Sequence, residues 1–399
     1  MNKISAISAT ALSARLSFKS SLRNVHECCT KNSGAGRARL LFEICGLAAV
    51  LLFSGCSGHA GKKNESKPVE RTWLVMGTFA SINVRGDSEN IDRILQLTQK
   101  SFSKVNATLS TYLPDSEISK INASTNRVEV SPMTADILKK TLTYCDISHG
   151  AFDPTVRPLI EMWGFNGATV PPRIPSETEI RNTLKRVGFR HIKLSADTNT
   201  TATVQSSVPI DLGGIAKGYA VDLAYRHLKT AFSNDMPSML INLGGNIRCI
   251  GSATSARSWK IGVRNPFIKG KLIGSLTLKD GESVATSGNY ERYVIIEGKR
   301  YAHIISPRTG HPISGMAETT VVAPDATASD ALSTSIYVAG IDESEAILKK
   351  LPETRAIIIP DRQPIEIWIS PSMRDTFTPY DEYKKHVHIL GMKKNTAEH

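Results

Sequence analysis

From Arg71 to Val84 apolar and polar positions alternate through Trp73, Val75, Phe79, Ile82 and Val84, which predicts a strand with Met76-Gly77-Thr78 in its middle. A glycine inside such a run signals a bulge or a closely approaching ligand. The period then changes to that of a helix over Ser88 to Leu109, with Ile91, Ile94, Leu95, Phe102, Val105 and Leu109 on one side. Thr134 to Ser148 predicts another helix, and Ser176 to Val187 a third, started by a capping box of Ser176 and Glu179. Between these two lie the loop Gly150-Ala-Phe-Asp-Pro-Thr-Val-Arg-Pro-Leu159, held extended by two prolines, and a linker from Pro171 to Pro175.

The run Val208-Pro-Ile210 leads into Asp211-Leu-Gly-Gly-Ile-Ala-Lys-Gly218. A helix follows from Tyr219 to Phe232, with Val221, Leu223, Ala224, Leu228 and Phe232 apolar, so the stretch reads as strand, glycine turn, helix. Three β-rich runs come next, Met239–Ile247, Val284–Arg292 and Tyr301–Gly310, each broken by a corner of Gly, Asn or Pro. Ala328 to Gly340 is a helix with Asp330 and Thr334 one turn apart on one face.

Length adds a bound: 399 residues suffice for one large domain or two ordinary ones, and 41% hydrophobic with 22% charged residues is an ordinary composition. The formal charge of +12 suggests nucleic acid at first sight. Residues 1–55, however, hold seven Lys or Arg against two Glu, and another group sits at Lys384, Lys385, Lys393 and Lys394. No basic stripe interleaved with aromatics remains, which argues for a small polyanionic ligand and against nucleic acid.

The N-terminus carries an export signal. Arg37 and Arg39 precede the apolar run Leu40 to Phe53, interrupted by Glu43, and it ends at Ser54-Gly55-Cys56. The order basic, apolar, small, Cys resembles a bacterial lipobox, with lipid on Cys56 and a membrane tether facing the periplasm or the outside. A plain signal peptide or an N-terminal anchor is the alternative. The expected organisation is therefore a signal over 1–55, a polar tether over 56–68, a folded domain over 69–372 and a basic tail over 373–399. Cys145 and Cys249 read as buried apolar fillers or as one disulfide.

The candidate chemistry gathers at the corners. Gly213 and Gly214 let the backbone turn tightly, the next helix aims its free N–H groups at the same point, and Lys217 adds a cation, a combination suited to phosphate. Many such turns bind nothing, and Asp211 is open to a ribose, a purine edge or an indirect metal contact. Asp153 and Arg157 form either a site or a structural ion pair. Asp330 and Thr334 offer hard oxygens to Mg²⁺, or are simply a first-turn aspartate and a helix threonine. Tyr112, at the turn Ser110-Thr-Tyr, stacks on a flat ring or packs. His303, in a polar corner, is the candidate for proton transfer near neutral pH.

Taken in order, Met76-Gly-Thr, Ser110-Thr-Tyr, Ala151-Phe-Asp-Pro-Thr-Val-Arg-Pro, Asp211-Leu-Gly-Gly-Ile-Ala-Lys-Gly, Asn242-Leu-Gly-Gly-Asn, Thr286-Ser-Gly-Asn-Tyr-Glu-Arg, His303-Ile-Ile-x-Pro-Arg-Thr-Gly and Ser329-Asp-Ala-Leu-Ser-Thr resemble the ApbE family of FAD:protein FMN transferases. The resemblance spans about Arg71 to Pro371. It implies an α+β fold, mixed sheets flanked by helices, and a Mg²⁺-dependent enzyme that splits FAD, releases AMP and joins FMN by a phosphoester to a threonine. Acceptors of the family are exported or membrane redox subunits, such as those of sodium-translocating NADH:quinone reductases. Some members hydrolyse FAD to FMN and AMP; a carrier that binds FAD without reaction is the reading outside catalysis. By position, the resemblance places Met76, Tyr112, Ala151, Phe152, Asp153, Asp211, Lys217 and Ile305 at FAD. It places the Gly214 carbonyl, Asp330 and Thr334 at the metal and His303 at proton transfer. Ser306 stands where the family usually has Asp, and Ser333 where some members have a second acidic metal ligand.

Overall fold

The computed structural model describes residues 68–85, 90–165, 171–196, 202–251, 258–290 and 293–391, all within the compact unit Ala48–His399. The expected signal, the tether with Cys56, and Glu291, Arg292, Lys393 and Lys394 lie outside these residues.

The run predicted as one strand is a hairpin of β1 (Val69–Val75) and β2 (Thr78–Val84), paired from Val69↔Val84 to Val75↔Thr78. Met76 and Gly77 turn it, with φ of 50° and 67°. A two-residue loop with both residues left-handed matches the twist of the flanking strands, so the chain doubles back where a single strand was expected. Helix α1 (Ile91–Leu109) follows as anticipated, then α2 (Glu117–Ala123), β3 (Val128–Val130) and α3 (Pro132–Ile147).

The loop after α3 is not the extended one expected: it bends at Ala151 and Phe152 and turns at Pro154 and Thr155, and Val156 already has helical φ and ψ of −71° and −5°. Arg157 opens α4 (Arg157–Met162), because Pro158 in the first turn lacks an N–H that would be unpaired there in any case. Helix α5 (Glu177–Leu184) carries the predicted capping box. Strands β4 (Ile192–Ala196) and β5 (Ala202–Ser206) join β3 in a small antiparallel sheet. Val208 to Ile210 is irregular, and α6 (Ala216–Phe232) starts three residues before the apolar pattern indicated.

The rest of the chain completes one large sheet with β1 and β2 and builds two smaller ones. β6 (Met239–Leu243) and β7 (Asn246–Ile250) form a hairpin around Gly244-Gly245; β8 (Trp259–Arg264), β9 (Leu272–Leu278) and β10 (Ser283–Gly288) follow. Then come the hairpin β11 (Tyr293–Ile296) and β12 (Lys299–Ala302), β13 (Met316–Ala323) and α7 (Ala326–Lys349), which breaks at Gly340. β14 (Arg355–Pro360), β15 (Ile367–Ile369), β16 (Phe377–Pro379) and β17 (Val387–Ile389) end the described chain. The nine-stranded order is β1-β2-β6-β7-β10-β13-β14-β15-β17, antiparallel except for β15 beside β17, and the two smaller sheets are β16-β9-β8 and β11-β12. The segment expected as a basic tail therefore contributes β16 and β17, since Phe377, Tyr383 and Leu390 are buried, with Lys384 and Lys385 exposed.

Both faces of the large sheet are covered, and residue parity decides which side chain faces which layer. On β14, Ala356 and Ile358 join the cluster under α7, while Ile357 and Ile359 join the opposite cluster with Trp259, Ile261 and Leu276 of the β8-β9-β16 layer. Met239 and Ile241 likewise pack with α1 and α6, and Leu240 on the other face. Each fully buried Ile or Leu contributes about 1.5–3 kcal/mol. Cys145 and Cys249 are free and buried, in the role of apolar fillers.

Candidate active site

Helices α6 and α7 cross with almost no space between them. A methyl group on Gly218 would fall 2.0 Å from the Ala326 carbonyl oxygen, so only glycine permits the approach. The Gly218 amide, in the first turn of α6 where it lacks an intrahelical acceptor, donates to Asp330 Oδ2 at 2.9 Å. Asp330 Oδ1 faces Lys217 Nζ at 3.6 Å, and the carboxylate is buried. Lys217 Nζ also donates to the Gly213 carbonyl at 3.0 Å, which bends the cation back over the glycine turn. Asp330 is thus not the cap of its own helix. That role falls to Asp325, whose side chain accepts the Ala328 amide at 2.7 Å and whose carboxyl is pushed above the usual carboxylate range by burial and by Asp222.

The glycine turn closes the same place. A methyl group on Gly214 would stand 2.9 Å from Phe152 Cε2 and 3.6 Å from Thr334 Oγ1. Asp211 Oδ1 accepts the Gly213 amide at 2.7 Å and holds the turn from within, while the Asp211 amide donates to the Pro154 carbonyl at 2.7 Å. The loop carrying Ala151 and Phe152 is thereby tied to the turn. Ser287, which sequence reasoning did not single out, reaches Thr334 Oγ1 at 3.3 Å and Ser333 Oγ at 2.9 Å from β10. Its signal was present in Thr286-Ser-Gly, but a hydroxyl alternating along a strand carries no mark of its partner.

The residues fit a Mg²⁺ ion by the chemistry of their donors. One carboxylate with an oxygen facing only a cation at 3.6 Å, a threonine hydroxyl and a backbone kept open by the missing Gly214 side chain form a hard-oxygen set, and Mg²⁺ completes such sets with water and phosphate oxygens. No cluster of three or more His, Cys, Asp or Glu exists among the described residues, so any such ion relies on that mixed set.

The other expected residues fall as follows. Asp153 and Arg157 do not pair. Asp153 accepts from the Thr155 amide and hydroxyl at 2.8 and 2.6 Å and from the Phe189 amide at 2.8 Å, and Arg157 pairs with Glu161 one helical turn on. Burial raises the Asp153 carboxyl above its ordinary range despite those donors. Ala151 is buried beside it. Met76 packs on the main core from the β1–β2 turn, whose Thr78 meets Gly244 of the next hairpin. Tyr112 is 77% exposed. Its neighbour Thr111 lines a cavity of about 280 Å³ together with Ser119, Asn122, Arg157 and Pro209.

His303 is half-buried and precedes Ile304, which packs on the cluster that includes Leu332 and Ile336 of α7. Ile305 is buried with Leu159 and Trp163 and bridges to Pro312. Ser306 Oγ accepts the Arg308 and Thr309 amides at 3.3 and 3.2 Å. A short acceptor that holds a turn is also what an aspartate supplies, so the Ser306 departure preserves the corner.

A nine-stranded sheet covered by helices on one face, with Gly214, Lys217, Asp330 and Thr334 brought together where two of those helices cross, is an α+β architecture that the chain shares with transferases. Residues 76–358 match the ApbE family, and the chain belongs to it. Its curated relatives are transferases. It is 32% identical to a FAD:protein FMN transferase of Rhodobacter capsulatus over 335 residues, which are 82% of this chain and 61% of that protein. A FAD:protein FMN transferase of Escherichia coli K12 is 28% identical over 82% of this chain and 95% of its own length. The crystal structure of an ApbE protein from Thermotoga maritima superimposes with a TM-score of 0.69 at 36% identity, covering 75% of this chain and 97% of that one.

Proposed function

We propose that the chain is a FAD:protein FMN transferase, which moves FMN from FAD to a threonine hydroxyl of an exported or membrane redox subunit and releases AMP. The observation that carries this reading is the meeting of Gly214, Lys217, Asp330 and Thr334 at one crossing, within the family match. Asp330, Thr334 and the Gly214 carbonyl would hold Mg²⁺, which when bound neutralises charge on the pyrophosphate oxygens.

The chain's own groups do the rest. The first turn of α6 offers its positive end to a phosphate, and Lys217 adds a cation that Asp330 and the Gly213 carbonyl keep in place. Phe152 packs against the turn at Gly214. The acceptor threonine Oγ forms the new bond to the FMN phosphorus, the bond from that phosphorus to the bridging oxygen breaks, and the oxygen leaves on AMP. The hydroxyl proton passes to His303. Phosphoryl transfer of this kind depends chiefly on positioning, which explains why so few reactive side chains are required. The exposed Tyr112 would stack on the flat flavin or purine ring.

The acceptor would be a subunit of a sodium-translocating NADH:quinone reductase or a related complex, met at a membrane to which lipid on Cys56 tethers the enzyme. Mixing the protein with FAD, Mg²⁺ and a protein bearing a Ser/Thr-Gly-Ala-Thr segment should give an EDTA-sensitive fluorescent band and the mass of FMN on the threonine. Free FMN and AMP without adduct would instead assign hydrolysis, and intact bound FAD a carrier.

A further inference from the structure

The amides of Ala326, Thr327 and Ala328 at the start of α7 have no partners inside their own helix, yet all three are satisfied. Asp325 takes Ala328 by its side chain. The first two belong to Asp222, which lies on α6. Its Oδ1 accepts the Ala326 amide at 2.9 Å, and its Oδ2 accepts the Thr327 amide at 2.8 Å and the Thr327 hydroxyl at 2.5 Å. Arg248 of β7 ion-pairs with the same Oδ1, and its guanidinium lies 3.9 Å from the centre of the Tyr225 ring. Asp222 is buried, so its charge is balanced by these donors and by the positive end of α7.

Asp222 and Gly218 are one turn apart on α6, and Ala326 and Asp330 one turn apart on α7. The two helices therefore cap each other: α7 supplies Asp330 to the first turn of α6, and α6 supplies Asp222 to the first turn of α7. Rotation or sliding of α7 by a fraction of a turn would break both rungs together.

We infer that Asp222 is a positioning residue for the transfer reaction: by gripping the start of α7 it keeps Asp330 Oδ2 on the Gly218 amide and so leaves Oδ1 turned toward Lys217 and the pocket. This rests on the metal reading of Asp330 given above. Without the grip, the Asp330 side chain regains other rotamers, and the ligand oxygen is no longer pre-set.

The test uses the full chain without FAD, with Mn²⁺ as the probe followed by electron paramagnetic resonance. Hydrogen exchange of the segment 212–221, read by mass spectrometry, reports the Gly218 amide. Asp222→Asn keeps the shape and removes the charge. It should weaken Mn²⁺ binding about tenfold or more, the range found when a partner supporting a metal ligand is removed, and accelerate exchange in 212–221. Asp325→Ala removes the side-chain cap of the same helix start without touching the hydrogen bonds from α7 to Asp222. It should lower the melting temperature and leave both readouts in place. Unchanged Mn²⁺ affinity and exchange in folded Asp222→Asn would overturn the inference, as would equal shifts in Asp325→Ala. Should Asp222→Asn not fold, Thr327→Val removes one donor from the carboxylate and must shift both readouts in the same direction, by less. If Asp330→Ala binds Mn²⁺ like the unchanged chain, the metal reading fails, and the exchange of 212–221 alone then decides whether Asp222 orients Asp330.

Discussion

Asp153 and Asp330 are both buried carboxylates that the sequence places in conspicuous motifs, and the structure uses them oppositely. Asp153 has its two oxygens occupied by the Thr155 and Phe189 amides and the Thr155 hydroxyl, all from nearby loops. Asp330 has one oxygen on the Gly218 amide, and the other faces a lysine at a distance too long for a hydrogen bond. A carboxylate with every oxygen occupied shapes the chain; one with an oxygen left over can act on something that is not part of the chain. Burial alone does not tell the two apart, but the donor count does.

Replacing each residue should separate the roles. Asp330→Ala should reduce FMN transfer by about 10²–10³-fold, measured as initial rate at saturating Mg²⁺, while circular dichroism stays that of the native fold. Full transfer at low Mg²⁺ would remove Asp330 from the site. Asp153→Asn should do the reverse. An amide group there leaves at least one buried N–H facing another N–H, so urea unfolding should show a loss of about 2 kcal/mol, with turnover of the folded fraction little changed.

That loss should depend on pH. The folded-state Asp153 carboxyl lies above the ordinary value of about 3.9, so the native state binds the proton more tightly than the unfolded chain. Its contribution is complete below the unfolded value and is lost as pH rises through the raised folded one. The gap in stability between Asp153 and its Asn variant should therefore widen as the solution is acidified toward pH 4. A constant gap would show that burial does not govern this group.

Gly214→Ala sharpens the comparison on the open side. Its methyl group would press on Phe152 and crowd Thr334, so transfer should fall about tenfold through the Mg²⁺ requirement, and overpacking should cost about 1 kcal/mol. Tyr112→Ala should be the mildest. An exposed ring contributes within about 0.5 kcal/mol to stability, so melting should be unaffected, and only the apparent KM for FAD should rise.

Much of this was legible in the sequence where a local rule suffices. The capping box of α5 and the apolar stripe of α1 appear as read, because both depend on neighbours within one or two turns. The β1–β2 hairpin was legible in principle: apolar residues sit at odd numbers through Trp73 and Val75 and at even numbers at Ile82 and Val84, a change of parity that a turn explains. Strands β16 and β17 were hidden by their length and by the charged turn Asp381–His386 between them, since a three-residue edge strand buries few side chains and gives no readable period.

Within the site, Gly213-Gly214, Lys217, Asp330 and Thr334 could be chosen from motif chemistry. Asp222 and Ser287 could not, because their partners lie 104–105 and 46–47 positions away, and nothing local distinguishes a helix aspartate that caps another helix. Arg157 misled for the converse reason: Glu161, one turn later, offered a nearer partner than Asp153.

The bond between Gly218 and Asp330 joins residues 112 positions apart, and it has a consequence for synthesis. A nascent chain that has emerged from the ribosome only through α6 holds the glycine turn and Lys217 but not the carboxylate opposite them. Contacts of such separation are slow to form, because the intervening loop must close first. The glycine turn therefore waits without its buried carboxylate until β13 and α7 have been made, and the pairing of the two helix starts cannot precede them.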